Sequence, residues 1–482
     1  MRDVRPVILV IGVMLAGLGV AMLAPMAADF FVGSPDWRSF AATGALTMSV
    51  GMAMMISARG STAVLTTRAA FLMTSLSWVI LAAFGAIPFL TSNIGLSVGE
   101  AFFESMSGLT TTGATVITGL DTKPPGLLLW RALLQWIGGI GIILTAIAVL
   151  PMLQVGGMEL FRVESSDTSD KILPRAGEIA GFVGLVYVAL TLACAVSYDL
   201  LGMTPFEAIT HAMTTLSAGG FSTSDASMGA FTPGGADIAA DFFMMTAALP
   251  FTIYIFVLRR DLRRLIEDSQ TTGYIALAAF LVGAMTLYLI GSHQYGALSA
   301  LRLSAFNVVS VLTGTGYATT DYSAWGPFAV AAIFCITFLG GCAGSAACGI
   351  KMFRIQVAFV AMRALLQKMM RPHRVARMRY SGRAIPEAAV YAVLSFLFLY
   401  FGAWAVSTLA LSVIGIDPTT AMSASATSLA NVGPGLGAII GPAGTFAPLP
   451  DPAKWVLAGT MLLGRLEILS VLVMFTPTFW RS

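Results

Sequence analysis

Thr110-Thr-Thr-Gly-Ala-Thr115 is a run of small, mostly polar residues closing a semi-apolar segment, 98–110, in a chain that is 57% hydrophobic. A spanning helix needs about 17–25 residues, so that segment is too short to cross a bilayer. The same arrangement recurs three times. Segments 205–217, 299–312 and 418–430 end in the turns Ser217-Ala-Gly-Gly-Phe-Ser222, Thr313-Gly-Thr-Gly-Tyr-Ala318 and Ala430-Asn-Val-Gly-Pro-Gly435. Aligned on Gly113, Gly220, Gly316 and Gly433, the turns stand 107, 96 and 117 residues apart. Each short segment follows an acidic or proline-containing connector and lies between two long apolar runs, so it reads as a re-entrant half-helix. Such backbone is tolerated at membrane depth only where protein or water covers it.

The long runs lie at roughly 6–28, 39–57, 68–91, 126–152, 176–200, 237–258, 273–291, 326–350, 385–415 and 453–476, which makes ten spans. The first exceeds the apolar core of a secretory signal and is expected to be retained. Four units of span, half-helix, polar turn and span begin near 68, 176, 273 and 385. All enter the membrane in one direction, so the repeats are parallel. The expected fold is all-α and integral to the membrane, with four parallel repeats in pseudo-fourfold arrangement and two extra N-terminal helices. The boundaries are 1–66 for those helices, then 67–172, 173–270, 271–383 (with a broken helix and a basic cytoplasmic segment) and 384–482 for the repeats.

Composition excludes the main rivals. Only 11% of the 482 residues are charged, the mean hydropathy is +0.84 and the formal net charge is +3. Soluble domains run nearer 25% charged. A disordered chain, a fibre and a charge-driven nucleic-acid binder are all ruled out. Four cysteines and three histidines show no ligand spacing, which argues against a metal centre or disulfide framework. His211, His293 and His373 are scattered, so no membrane-embedded enzyme is expected.

Charge placement sets the orientation. With the amino terminus in the cytoplasm, 21 of the 27 Lys and Arg fall inside and five in outer connectors. The inner set includes Arg2, Arg59, Arg162, Lys171, Arg175, the Arg259–Arg264 cluster and the run Lys351–Arg383, which has nine basic residues and no acid. Both termini are therefore expected to be cytoplasmic, and the half-helices to enter from outside. The basic run suits anionic membrane lipid or a soluble partner. Outer acids, especially Glu100, Glu104, Asp121 and Asp321, would draw cations to the mouth, although a solvated outer face is the simpler account for most of them.

Four glycine-containing turns at one topological level point to ion coordination. A dehydrated cation needs oxygen ligands, and turning successive carbonyls to one side requires backbone that glycine reaches without a Cβ penalty. Each half-helix runs inward, so its negative carboxyl end favours a cation at the centre. Thr111, Thr112, Ser217, Thr313, Thr315 and Asn431 could supply further oxygens or brace the turns. The string Gly433-Pro-Gly-Leu-Gly-Ala-Ile-Ile-Gly441 follows a half-helix rather than a strand, so it is no phosphate cradle.

The chain resembles the Trk/Ktr/HKT superfamily of cation-translocating subunits, and within it the bacterial Trk potassium-uptake membrane subunits. The match is carried by Ser107-Gly-Leu-Thr-Thr-Thr-Gly-Ala-Thr115, Gln135-Trp-Ile-Gly-Gly-Ile-Gly141, Thr214-Thr-Leu-Ser-Ala-Gly-Gly-Phe-Ser222, Gly340-Gly-Cys-Ala-Gly-Ser345 and Asn431-Val-Gly-Pro-Gly-Leu-Gly437. The resemblance implies a potassium-channel-like filter formed by Thr111, Thr112, Gly113, Ser217, Ala218, Gly219, Gly220, Thr315, Gly316, Asn431, Val432 and Gly433. Its all-glycine set matches potassium-selective members, whereas serine at the first position marks sodium-preferring relatives. It further implies inward conduction of K+ through a bacterial inner membrane, a homodimer and a soluble TrkA-like nucleotide-binding subunit. No cofactor is expected in this chain; ATP, ADP or NAD would sit on the partner. An ion-coupled (H+ or Na+) potassium symporter and a Na+-permeable relative remain alternative readings.

Two features read as gate elements. Gly340-Gly-Cys-Ala-Gly-Ser-Ala-Ala-Cys-Gly349 is poor helix material, its four glycines each costing about 1 kcal/mol against alanine. It resembles the family's intramembrane loop. Arg465 is expected mid-span in the last helix, where an arginine faces a cavity or a partner; Glu467 is only two residues away and poorly placed to pair with it. The candidate gate is Gly340, Gly341, Gly344, Ser345, Gly349, Lys351 and Arg465, with Cys342 and Cys348 as inert small residues.

Overall fold

The half-helices begin where side chains can close their first turns. Ser97 and Thr204 accept from the backbone N–H of Glu100 and Glu207, whose carboxylates in turn accept from the cap residues' own N–H groups. That reciprocity is what Ser/Thr-x-x-Glu spacing provides. Asp417 caps the fourth by accepting from Thr420 N–H. The third starts after Gly296 with no side-chain cap, and at 17 residues it is longer than the others, at 12, 12 and 13.

The computed structural model describes residues 5–59, 67–148, 176–261, 263–292, 295–371, 378–381 and 383–481. Among them, seven helices are long and apolar enough to cross a membrane: Arg5–Val32, Trp37–Ser57, Arg68–Thr91, Pro125–Leu144, Glu178–Leu200, Ser269–Gly291 and Glu387–Val413. The half-helices Val98–Leu109, Pro205–Leu216, Ala297–Thr313 and Pro418–Ala430 follow Arg68–Thr91, Glu178–Leu200, Ser269–Gly291 and Glu387–Val413 in chain order. The long helices turn large apolar side chains outward, among them Phe280, Leu287, Phe398, Leu409 and Val413, while half-helix residues past the first turn are mostly buried. Arg2, Arg162, Lys171, Arg175, Arg374, Arg377, His293, His373 and the end of the 126–152 run lie outside the described residues.

Three expected spans are not straight. The run 237–258 bends by 91° between Ala236–Ala247 and Phe251–Leu258. Pro250 stands at the break, without an N–H to continue the ladder. The run 326–350 is helical only over Pro327–Thr337, then continues as a loop whose ends meet in a parallel bridge, Leu339 to Ile350. Helix resumes at Met352–Met370.

The last run, 453–476, is not the single helix expected. Asp451–Arg465 and Ile468–Phe475 meet at 111°, so Arg465 ends a helix. No proline or glycine makes this corner. Glu467 takes a left-handed backbone, φ +59°, and pairs with the buried Arg354 guanidinium from the start of Met352–Met370. The distant ion pair holds a conformation that local sequence does not favour.

Candidate functional site

Each half-helix ends in the same turn. One residue, Thr111, Ala218, Gly314 or Asn431, enters the left-handed region at φ +53°, +53°, +76° and +53°. Its N–H donates to the carbonyl three residues back, on Gly108, Thr215, Val311 or Ser428, at 3.0–3.4 Å. The next N–H, of Thr112, Gly219, Thr315 or Val432, donates to the carbonyl five back, on Ser107, Thr214, Ser310 or Thr427, at 2.8–3.0 Å. This pair of bonds is the Schellman cap. After one intervening residue the chain turns left-handed again at Gly113, Gly220, Gly316 and Gly433.

Those four glycines close a ring. A Cβ on Gly113 would stand 2.2 Å from the Gly219 carbonyl oxygen, one on Gly220 1.9 Å from that of Thr315, and one on Gly316 1.8 Å from that of Val432. A Cβ on Gly433 would stand 2.7 Å from the Thr112 oxygen. Loop 1 thus abuts loop 2, loop 2 abuts loop 3, loop 3 abuts loop 4, and loop 4 returns to loop 1. At every seam the oxygen belongs to the residue just before the neighbour's glycine. Glycine is required here by both the positive φ and the approach of the next backbone.

Polar side chains tie the ring together. Gln135 Nε2 donates to the Gly219 carbonyl at 2.7 Å, and its Oε1 accepts from Phe221 N–H at 3.0 Å. Asn431 Nδ2 donates to Thr112 Oγ1 at 2.9 Å and to the Met461 carbonyl at 3.0 Å. Tyr317 hydroxyl meets Thr214 and Thr215 hydroxyls and donates to the His211 carbonyl. Arg131 Nε pairs with Glu104 at 2.8 Å, its Nη1 donates to the Ser222 carbonyl at 2.9 Å, and its guanidinium lies 4.0 Å from the Phe221 ring centre.

A cavity of about 260 Å³ is lined by all four glycines with Thr115, Ser222, Ser224, Asp225 and Arg131. Of the four acids expected to attract cations, Glu104 and Glu100 are paired with basic side chains, while Asp121 and Asp321 stay exposed. Glu104 is spent on Arg131, and Glu100 pairs with the buried Lys454 at 2.8 Å. Asp121 accepts from Asp225 N–H at 3.2 Å; bonds from Ser224 and Asp225 hold its carboxyl below the usual range. Asp225, which accepts from Gly119 and Leu120 N–H, is the carboxylate lining the cavity.

The loop 338–351 lies against the opposite side of the ring. Cys348 Sγ is 3.7 Å from Thr111 Oγ1, and its N–H is 3.4 Å from where a Cβ on Gly314 would stand. The loop is pinned from outside itself: Cys342 and Ala346 N–H donate to the carbonyls of Ala248 and Ala247, and Ala343 N–H to Gln270 Oε1 at 3.1 Å. Inside it, Ser345 Oγ donates to the Cys342 carbonyl at 2.6 Å, and Lys351 Nζ to the Ala347 carbonyl. Gly340 and Gly349 face each other across the bridge, with the Cys348 oxygen 1.8 Å from a Cβ on Gly340. Arg465 donates to Cys348 Sγ and, at 3.1 Å, to the Gly138 carbonyl, while its buried Nε has no hydrogen-bond partner among the described residues.

The structure therefore brings Thr111 to Gly113, Ser217 to Gly220, Thr315 and Gly316, and Asn431 to Gly433 into one ring, with Gly340 to Lys351 and Arg465 in a layer against it. Sequence reading missed Arg131 and the position of Cys348. Arg131, Gln135 and Gly138 recur at helical spacing, so the stripe facing the ring was visible in principle.

A family model described as TrkH, cation transport protein, matches residues 37–482. The chain is 43% identical, over 100% of its length and 98% of the relative's, to the Trk system potassium uptake protein TrkI of Halomonas elongata. It is 38% identical, over 99% of both chains, to the Trk system potassium uptake protein TrkH of Vibrio parahaemolyticus. The crystal structure of the potassium transporter TrkH from Vibrio parahaemolyticus superposes with a TM-score of 0.92 at 36% identity, covering 100% of both chains.

Proposed function

This chain belongs to the TrkH family of cation transport proteins, and from that premise we propose that it is the potassium-selective, ion-translocating subunit of a Trk-type uptake system. The closed ring of glycines and neighbouring carbonyls carries the reading. Carbonyls of Thr112, Gly219, Thr315 and Val432 replace part of the ion's hydration shell, and no ring residue bears a charge that would hold the ion too tightly to leave. Four half-helix carboxyl ends converge behind the turns and add a negative potential.

The loop 338–351 is the gate and Arg465 its electrostatic brake. A guanidinium next to the permeation path opposes cation residence, and its bonds to Cys348 and Gly138 tie the loop to the last helix and to Pro125–Ala148. A soluble TrkA-like subunit, carrying the nucleotide, docks beneath the basic residues that follow Lys351 and moves the loop through Met352–Met370. The protein works as a homodimer in a bacterial inner membrane, with both termini cytoplasmic. The membrane potential supplies about 2.3 kcal/mol per charge per 100 mV for uptake.

Isotope uptake into proteoliposomes by Gly113→Ser and Gly316→Ser tests the filter. Both substitutions place an atom where a neighbouring carbonyl stands, so potassium preference over sodium should fall. Unchanged preference in both would remove the filter assignment.

A further inference from the structure

The position nine residues before each ring glycine holds Glu104, His211, Asn307 and Ala424. In three repeats its side chain crosses to the limb that leaves the ring. Glu104 accepts from Thr115 Oγ1 at 3.0 Å and from Val116 N–H at 2.9 Å. Asn307 Nδ2 donates to Thr319 Oγ1 at 2.9 Å, and its Oδ1 accepts from Thr319 N–H at 3.3 Å. His211 Nδ1 is 2.8 Å from the Glu207 carbonyl, which can only accept, so Nδ1 carries the proton. Its Nε2, 3.0 Å from Ser222 Oγ, then accepts from that hydroxyl. All three side chains are buried.

Repeat 4 breaks the pattern. Ala424 has no group to offer, and the limb after Gly433 is met from its half-helix by Ser423 Oγ, which stands 3.3 Å from the Leu436 carbonyl and is shared with Thr420. The seam between loops 3 and 4 is also apolar, with Val432 and Leu436 packed among Tyr322 and Trp325. Among the described residues no hydrogen bond crosses that seam.

We infer that Glu104, His211 and Asn307 are positioning residues for ion selection, each fixing its loop from behind, and that loop 4 is the compliant member of the ring. The inference rests on the filter reading above. A ring discriminates a larger from a smaller cation only while its oxygens resist closing on the smaller one. Three loops are anchored at both ends, by the Schellman turn below the glycine and by the brace beyond it. Loop 4 is anchored firmly at one.

The experiment is sodium-against-potassium permeation in proteoliposomes reconstituted with the full-length protein, comparing His211→Ala, Asn307→Ala, the conservative His211→Gln, and Gly220→Ser. Potassium half-saturation and maximal uptake are read separately, and size-exclusion profiles identify any variant that fails to fold. Each alanine variant should raise relative sodium permeation about two- to tenfold, the scale of one lost hydrogen bond, with maximal potassium uptake retained. His211→Gln, which can still accept from Ser222, should restore most of the discrimination. Folded alanine variants with unaltered selectivity would overturn the inference while a changed Gly220→Ser leaves the filter reading intact. If Gly220→Ser is also unaltered, both fall.

Discussion

The ring and the loop layer against it are neighbours built on opposite plans. The ring uses one device four times: a Schellman turn, a left-handed glycine and a neighbour's carbonyl. It has no charged member. The layer occurs once, in repeat 3, and borrows its supports from elsewhere: Ala247 and Ala248, Gln270, and Arg465 at the broken end of the last helix. On the proposed filter reading, selection among ions gains from symmetry, because several equal dipoles define a cage that no single side chain dominates. On the proposed gate reading, asymmetry serves, because one loop could move while the other three repeats keep the cage.

Perturbations should separate the two plans. The largest effect is expected from Glu467→Ala, which leaves the buried Arg354 guanidinium without its carboxylate. Breaking such a pair costs about 3–5 kcal/mol, so the thermal midpoint in detergent should fall by several degrees and the corner at 465–468 should loosen. Ion selectivity of whatever folds should be unaltered. A destabilised protein with altered selectivity would show that ring and layer are mechanically one.

Gly316→Ser should act in the reverse sense. Its Cβ would meet the Val432 oxygen at 1.8 Å, so the ring must distort. The potassium-to-sodium flux ratio should drop by about tenfold or more, equivalent to about 1.4 kcal/mol of discrimination. Gly433→Ser, where the oxygen stands at 2.7 Å, should cost less selectivity. Equal losses at both positions would mean that backbone strain, not the crowded seam, sets the requirement for glycine.

Arg465→Ala should raise basal potassium flux several-fold without a soluble partner, because the proposed brake and its bond to Cys348 of the loop are removed. Selectivity should hold. The smallest effect is expected from Ser97→Ala at the far end of the first half-helix, where losing the cap costs about 1 kcal/mol of stability. Flux and selectivity measured below the unfolding range should match the parent protein. A selectivity change there would mean that the half-helices transmit strain along their length.

Much of the ring was legible in the sequence because its requirement is local. A left-handed backbone under a crowded seam demands glycine, and four glycines at one level betray the repeat. The half-helices were legible from their length and place between long spans, and Ser97-Val-Gly-Glu100 and Thr204-Pro-Phe-Glu207 also contain the whole capping motif, a local signal the sequence reading did not use. The corner at Glu467 was not. Leu466-Glu467-Ile468 holds no helix breaker, and the residue that stabilises the bend, Arg354, lies 113 positions away. Cys348 shows the same limit: in its own segment it is one small residue among many, and only the folded loop places it between Thr111 and Arg465. The pairing of Glu104 and Glu100 was hidden in the same way, because their partners, Arg131 and Lys454, come from other elements.

Rubidium, a heavy stand-in for potassium, offers the most direct measurement. Crystals grown in rubidium should show anomalous density on the axis of the ring, within about 3 Å of the carbonyl oxygens of Thr112, Gly219, Thr315 and Val432, close enough for them to replace waters of the ion's hydration shell. The density should vanish when sodium replaces rubidium. Transport-competent protein whose rubidium density lies elsewhere, with none at the four carbonyls, would contradict the ring as the site of selection.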